Sequence, residues 1–185
     1  LPTNHFKIEF IQTMLYFFFV NGTTIVPASQ LVPTTYKLIN GYIVGPYMII
    51  EGADLKDGNL TDVNLTGVTS GNISGTPGGL PEDYSLINGY IVGPNVNLTG
   101  ADLTDVDLTD ATLTGVISGY IRGTPTGLPK DYSLINGYII GPGVDLTGAD
   151  LTGANLTGAD LTDVDLTDVT SGNISGTPTG LPDGY

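Results

Sequence analysis

A five-residue unit recurs through this chain, and a period of five suits neither an α-helix nor a flat strand. The units run from 53 to 67 (ADLKD GNLTD VNLTG), from 96 to 115 (VNLTG ADLTD VDLTD ATLTG) and from 144 to 168, twelve in all. Each has Leu at its centre, Ala, Val or a single Gly two residues earlier, and Asp, Asn or one Thr immediately before the Leu. Thr follows the Leu in eleven of the twelve, and Asp or Gly closes the unit. Residues 48–52 (MIIEG) read as a degenerate thirteenth. On a helix each step of five would swing the apolar pair by about 140°, smearing it around the cylinder. On a strand, where side chains alternate at two, an odd repeat would flip faces at every unit. A corner in each unit removes the conflict. If every pentad turns the chain by about 90°, the central Leu and the small residue before it always point inward, and four pentads, twenty residues, close one coil.

A longer repeat is laid over the pentads. Tyr36, Tyr84, Tyr132 and Tyr185 each follow a proline by three residues, at spacings of 48, 48 and 53, and LPEDYSLINGYIVGP (80–94) is nearly identical to LPKDYSLINGYIIGP (128–142). The five extra residues in the last interval equal one pentad.

The tandem A-(D/N)-L-x-x pattern resembles the pentapeptide-repeat family. That resemblance covers Leu38 to about Ile174 and implies an all-β fold, a right-handed quadrilateral β-helix with the central Leu and the preceding Ala or Val inside. The LPxxY modules, the scarcity of Phe at the centre and the amino-terminal stretch depart from the family pattern. Leu86, Ile91, Val96, Ala101, Val106, Ala111, Val116 and Ile121 are five apart, so SLINGYIVGP is expected to continue the coil. The surplus then falls in GTPGGLPED (75–83), GTPTGLPKD (123–131) and GTPTGLPDG (176–184), read as protruding Gly/Pro loops. The sum is about six coils, roughly 30 Å of axis at about 4.8 Å per coil.

Residues 1–30 differ in character and are assigned as an apolar cap or assembly segment, with 31–185 as the repeat β-helix. Phe6, Ile8 and Phe10 alternate with Lys7 and Glu9 as a half-buried strand would, and Met14 to Val20 (MLYFFFV) is an apolar run that includes Tyr16, Phe17, Phe18 and Phe19. A secretion-signal core ending near Ala28 is the other reading of this stretch.

Composition removes most chemistry. Without cysteine there is no disulfide, thiolate nucleophile or thiolate metal site, and His5, the lone histidine, stands far from the repeats, so neither a catalytic triad nor a zinc site can be assembled. No enzyme activity, cofactor or metal is expected. The Asp runs at Asp102, Asp105, Asp107 and Asp110 and at Asp160, Asp163, Asp165 and Asp168 lack the spacing and glycine of a calcium loop and read as a solvated acidic face. A net charge of −14 would repel nucleic acid and anionic membranes, and no membrane insertion is expected. Seven Asn-x-Ser/Thr sequons, at Asn21, Asn59, Asn64, Asn72, Asn97, Asn155 and Asn173, arise mostly from the repeat grammar itself.

These features point to a surface-presenting protein. The leading expectation is a self-assembling extracellular filament or a cell-surface adhesive solenoid. The alternative is DNA mimicry, since some proteins that this family resembles imitate duplex DNA and inhibit a type II topoisomerase. Outward Thr arrays suggest ice binding as a minor reading, and Tyr42, Tyr90 and Tyr138, two coils apart, suggest an exposed aromatic stripe for a carbohydrate or another subunit. End-to-end self-association is expected because a β-helix end exposes unpaired backbone groups and LPDGY (181–185) reaches Tyr185 without the SLINGYIVGP that follows its earlier copies. Phe6, Ile8, Phe10, Tyr16, Phe17, Phe18, Phe19 and Tyr185 are the candidate assembly residues.

Overall fold

A corner in every pentad leaves room for one ladder position per side, and the backbone shows this spacing. A computed structural model describes residues 35–184 of the chain. Parallel bridges join residues that immediately precede the central position of successive coils: Asp54 to Ser74, Asn97 to Ile117, Asp145 to Asp165, each pair twenty residues apart. One side of the molecule carries an unbroken column, Ile49, Thr69, Asn97, Ile117, Asp145 and Asp165.

The turn chemistry explains why the pentad reads as it does. At each corner the carbonyl of the central Leu accepts the N–H of the small residue that opens the next unit, as from Gly58 to Leu55 (3.0 Å) and Ala154 to Leu151 (2.9 Å). The closing residue is the third of that β-turn and takes positive φ at many corners, as at Asp105 (58°), Gly148 (70°) and Asp163 (56°), which selects Gly, Asn or Asp there. The Asp or Asn before the Leu holds the corner through its Oδ1, which accepts the N–H of the Thr two residues on at 2.9–3.0 Å in Asn64–Thr66, Asp107–Thr109 and Asp150–Thr152.

The interior is a stack of aliphatic side chains. Leu55, Leu60, Leu65, Leu98, Leu103, Leu108, Leu113, Leu146, Leu151, Leu156 and Leu161 are buried, with Ala53, Val63, Val96, Ala101, Val106, Val144, Ala149, Ala154, Ala159 and Val164 beside them. Each buried Leu contributes about 1.5–3 kcal/mol. Leu166 alone among the twelve central leucines is half-buried.

The longer repeat departs from the expectation. SLINGYIVGP does not continue the coil. It folds into an antiparallel hairpin, and three such hairpins recur: β1 Lys37–Ile39 with β2 Tyr42–Val44, β3 Ser85–Ile87 with β4 Tyr90–Val92, and β5 Ser133–Ile135 with β6 Tyr138–Ile140. Each turns through Asn-Gly with both φ positive, as at Asn88 (47°) and Gly89 (79°), the geometry of the two-residue turn that matches strand twist. The Gly/Pro segments, conversely, are not the surplus. Leu60 donates to the Gly79 carbonyl (2.8 Å), Asp57 to Thr76 (2.9 Å) and Gly78 to Gly58 (2.8 Å), so 75–79 lies in the ladder, and Pro77 falls where no N–H is required. The extra chain is the hairpin.

The second and third hairpins are locked at their bases. The Tyr84 hydroxyl donates to the Pro94 carbonyl (2.7 Å) and that of Tyr132 to Pro142 (2.8 Å), while a Cβ at Gly93 or Gly141 would collide with the corresponding ring. Burial raises the pKa of both phenols, with Asp83 adding to the effect at Tyr84.

Candidate functional site

The hairpins divide the stack into blocks. On the side that carries Asp54 and Ser74, further bridges join Asp102 to Arg122 and Asp150 to Thr170, but among the described residues none joins Ser74 to Asp102 or Arg122 to Asp150. The hairpin stands there instead. The Gly89 carbonyl accepts from Ile73 N–H (3.0 Å) on the coil before it, and the Tyr90 hydroxyl accepts from Asp102 N–H (3.0 Å) on the coil after it. The third hairpin repeats both contacts, Ile121 to Gly137 (3.0 Å) and Asp150 to the Tyr138 hydroxyl (3.1 Å).

The coil that receives a hairpin has a specific seat. At its first centre position Ser replaces Leu, in VTSGNIS (68–74) and VISGYIR (116–122). In the hairpin register Leu86–Ile91 is one pair in from the pair that flanks the turn, so Ile91 N–H points away from β3 and would be orphaned without a partner. Ser70 Oγ accepts it at 2.8 Å, and Ser118 Oγ accepts Ile139 N–H at 2.9 Å. Both serines are buried, at 8% and 7% exposure.

A third copy of the seat stands at the carboxy-terminal end. VTSGNIS recurs without change at 169–175, in the last coil. There Ser171 and Ile174 are exposed, and they line an apolar cavity of about 400 Å³ with Leu151, Leu156, Leu161 and Leu166. Ile174 is 38% exposed, whereas its counterpart Ile73 is 9% exposed. The half-burial of Leu166 has the same cause: it lies in this mouth.

The residues singled out from the sequence are distributed differently from expectation. Phe6, Ile8, Phe10, Tyr16, Phe17, Phe18, Phe19 and Tyr185 lie outside the described residues. Tyr42, Tyr90 and Tyr138 do not form an exposed stripe: the first two are half-buried and Tyr138 is buried, because as hairpin residues their hydroxyls bond coil backbone, Tyr42 donating to the Gly52 carbonyl (3.2 Å). Among the described residues the exposed tyrosines are Tyr47 and Tyr120. Several of the Thr hydroxyls are committed to the preceding carboxylate or amide oxygen, at 2.6 Å for Thr104, Thr109, Thr157 and Thr162. Hydrogen bonds from these threonines lower the pKa of Asp102, Asp107 and Asp160, and bonds from Thr152 and Thr167 do so for Asp150 and Asp165. Among the described residues no group of three His, Cys, Asp or Glu side chains gathers to hold a metal, and no helix is long and apolar enough to cross a membrane.

Ser171 and Ile174 were missed in the sequence reading, yet the signal was there: the identity of 68–74 and 169–175 marks one site in two settings.

Residues 94–117 and 142–169 match the family model of pentapeptide repeats, in eight copies. The chain carries pentapeptide repeats. No curated protein and no solved structure matches it. The family implies a β-solenoid, and the pentapeptide repeats are interrupted here by hairpins that the repeat pattern itself does not contain.

Proposed function

We propose that this chain is a non-catalytic structural solenoid, a right-handed square β-helix of six coils that associates end to end into filaments outside the cell or at its surface. The observation that carries the reading is the joint between blocks, made twice by the same pair of bonds: a hairpin is seated on the coil before it through Ser70 and Ile73 or through Ser118 and Ile121, so that layers of this chain stack on one another. A contact between unlike ends does not close on itself and therefore propagates.

Static light scattering and electron microscopy of the purified protein test the proposal. Mass that rises with concentration, together with unbranched filaments, is expected. A monomer at every concentration overturns it, and inhibition of DNA gyrase by that monomer would favour the DNA-mimic reading, to which the −14 charge is suited.

A further inference from the structure

We infer that the edge formed by Ile117, Tyr120 and Arg122 binds a neutral sugar, a pyranose unit of a polysaccharide that stacks on the Tyr120 ring and is held by the Arg122 guanidinium. The site lies on the flank of the solenoid and is independent of how the ends associate. The molecule supplies its own comparison. VTSGNIS occurs unchanged at 68–74 and 169–175, and VISGYIR (116–122) departs from it at three positions only. The residues that serve the fold are the same: Val116 is buried, Ser118 accepts the Ile139 N–H and Ile121 donates to the Gly137 carbonyl. The three that change are Ile117, half-buried, and Tyr120 and Arg122, both exposed, so coil construction does not call for them. Tyr120 is also strained. Its φ is 52°, and the matching residues Asn72 (52°) and Asn173 (51°) are of the type that tolerates left-handed backbone, which a bulky side chain adopts at a cost. Tyr47 shares this conformation, but its ring lies against Gly67. Tyr120 is 79% exposed, and little packing offsets its strain. Along the same edge Gly100 and Gly148 follow Asn97 and Asp145 by three residues, as Tyr120 follows Ile117, and a Cβ added at either glycine would meet nothing within 4 Å. The ring therefore stands on an open edge.

The surroundings define the ligand. An exposed phenol offers a flat apolar face with a polar tip, and among the described residues nothing hydrogen-bonds the Tyr120 hydroxyl. Arg122, the lone arginine of the sequence, forms no ion pair among the described residues and makes one long bond, from its guanidinium to the Gly100 carbonyl at 3.5 Å, so most of its five donors are available. One coil away stand two carboxylates, Asp102 bridged to Arg122 and Asp145 bridged to Ile117. Each commits Oδ1 to the N–H of the Thr two residues on, which leaves Oδ2 to accept from a ligand. An aromatic face, a fork of donors and two acceptors thus gather within two coil spacings, roughly 10 Å of axis. They match a pyranose with equatorial hydroxyls, whose ring faces carry only C–H groups and whose rim both donates and accepts. An acidic ligand fits poorly, because two carboxylates flank one guanidinium on a chain of net charge −14. A protein partner fits poorly as well. It needs roughly 800 Å² of surface with a core depleted of charge, and this edge is bounded by Asp102 and Asp145.

Titration of the full chain with cellohexaose, whose glucose units carry equatorial hydroxyls, tests the site, with binding followed by NMR shifts of backbone amides and tyrosine rings. Shifts centred on residues 117–122 are expected. Tyr120→Asn and Arg122→Ser install the residues that stand at Asn72 and Ser74, so the coil accepts them, and Tyr120→Asn should unfold at the wild-type temperature or above it. Each substitution should weaken cellohexaose binding by about tenfold, through loss of the stacked face or of the charged donor. Tyr120→Phe keeps the ring and should stay within about threefold of wild type. Hexagalacturonate, an acidic chain of the same length, should bind at least about tenfold more weakly than cellohexaose. No shift with cellohexaose at millimolar concentration overturns the inference, and so does an affinity that Tyr120→Asn and Arg122→Ser leave unchanged. Hexagalacturonate binding as tightly as cellohexaose would assign the edge to acidic ligands and overturn it too. If no sugar binds and Tyr120→Asn abolishes self-association in light scattering, the edge is a contact between copies of the chain and the inference falls.

Discussion

Ser70 and Ser171 sit in identical stretches, VTSGNIS, one pentad apart around the coil, since Thr69 pairs on the side of Ile49 and Asn97 and Thr170 on the side of Asp150; one is buried beneath a hairpin and the other opens onto an apolar cavity. Nothing in the seven residues accounts for the difference. What differs is the layer above: β3 and β4 cover the first seat, and no described residue covers the other. In a stack where each coil contacts only its neighbours, the environment of a residue is set by the next layer as much as by its own sequence. The two regions therefore work as an internal control, the same site with and without its ligand, and substitutions at matched positions should separate what the coil needs from what the joint needs.

The largest contrast is expected at the central leucines. Leu108 is fully buried with a layer on each side, and Leu166 is half-buried at the mouth. Leu108→Ala should destabilise the protein by about 2–5 kcal/mol through lost transfer energy and the cavity left behind, whereas Leu166→Ala should cost less than about 1.5 kcal/mol. Leu108→Asp should unfold several coils because its carboxylate has no partner in an aliphatic stack. Chemical denaturation of the variants under conditions that keep them monomeric measures this. Equal losses at the two positions would show that the mouth is closed in solution.

The serines sharpen the same comparison with a smaller effect. Replacing Ser70 or Ser118 by Ala orphans the N–H of Ile91 or Ile139 in a buried setting, a loss of about 1–3 kcal/mol. Ser171→Ala should change monomer stability by no more than about 0.5 kcal/mol, as exposed substitutions generally do. Amide exchange at Ile91 and Ile139 gives a second readout, since each should exchange faster once its acceptor is gone. A loss at Ser171 as large as at Ser70, measured on monomer, would mean that the third seat is already filled.

The coil was legible in the sequence because its grammar is forced: a period of five can bury the same two positions only by turning a corner, so the inward leucines followed from spacing alone. The hairpins were legible too but were read wrongly. Leu86, Ile91 and Val96 keep the five-residue phase by coincidence, and that phase masked a stronger local signal, Asn-Gly flanked by SLI and YIV, which favours a two-residue hairpin turn. The Gly/Pro segments misled in the opposite direction. Proline was taken to exclude the ladder, but it is excluded only where an N–H must donate, and on either side of Pro77 the ladder is made by the Thr76 carbonyl and the Gly78 N–H. Tyr90 and Tyr138 followed the same error outward, since residues assigned to a coil surface belong to an inserted layer whose hydroxyls accept from coil amides. The seat could not be recognised before the hairpin was, because a serine at a leucine position has no meaning until an orphaned N–H is placed above it.

The smallest effect concerns the outer face, where all layers are alike and the Asp-Leu-Thr corner can be examined apart from the joint. Asp102 and Asp107 each receive a Thr hydroxyl at 2.6 Å and a Thr N–H at 3.0 Å, and these bonds hold both carboxyls below the usual carboxylate range. Because the folded pKa is depressed, the corresponding stability is present above the unfolded value of about 3.9 and is lost as pH falls through the folded value. Thr104→Val with Thr109→Val removes the hydroxyl bonds and keeps the N–H bonds, so both carboxyls should move up toward their unfolded value. The variant should then be less stable than wild type at about pH 7, and the gap should narrow at about pH 3, where both states carry more of the protons. The groups are fully exposed and screened by salt, so the gap should also shrink in high salt. Urea midpoints at the two pH values check it. A gap that is independent of pH would show that the threonines act by packing against the next coil, where Thr104 already meets Gly123 and Thr109 meets Gly127, and not through the carboxylates.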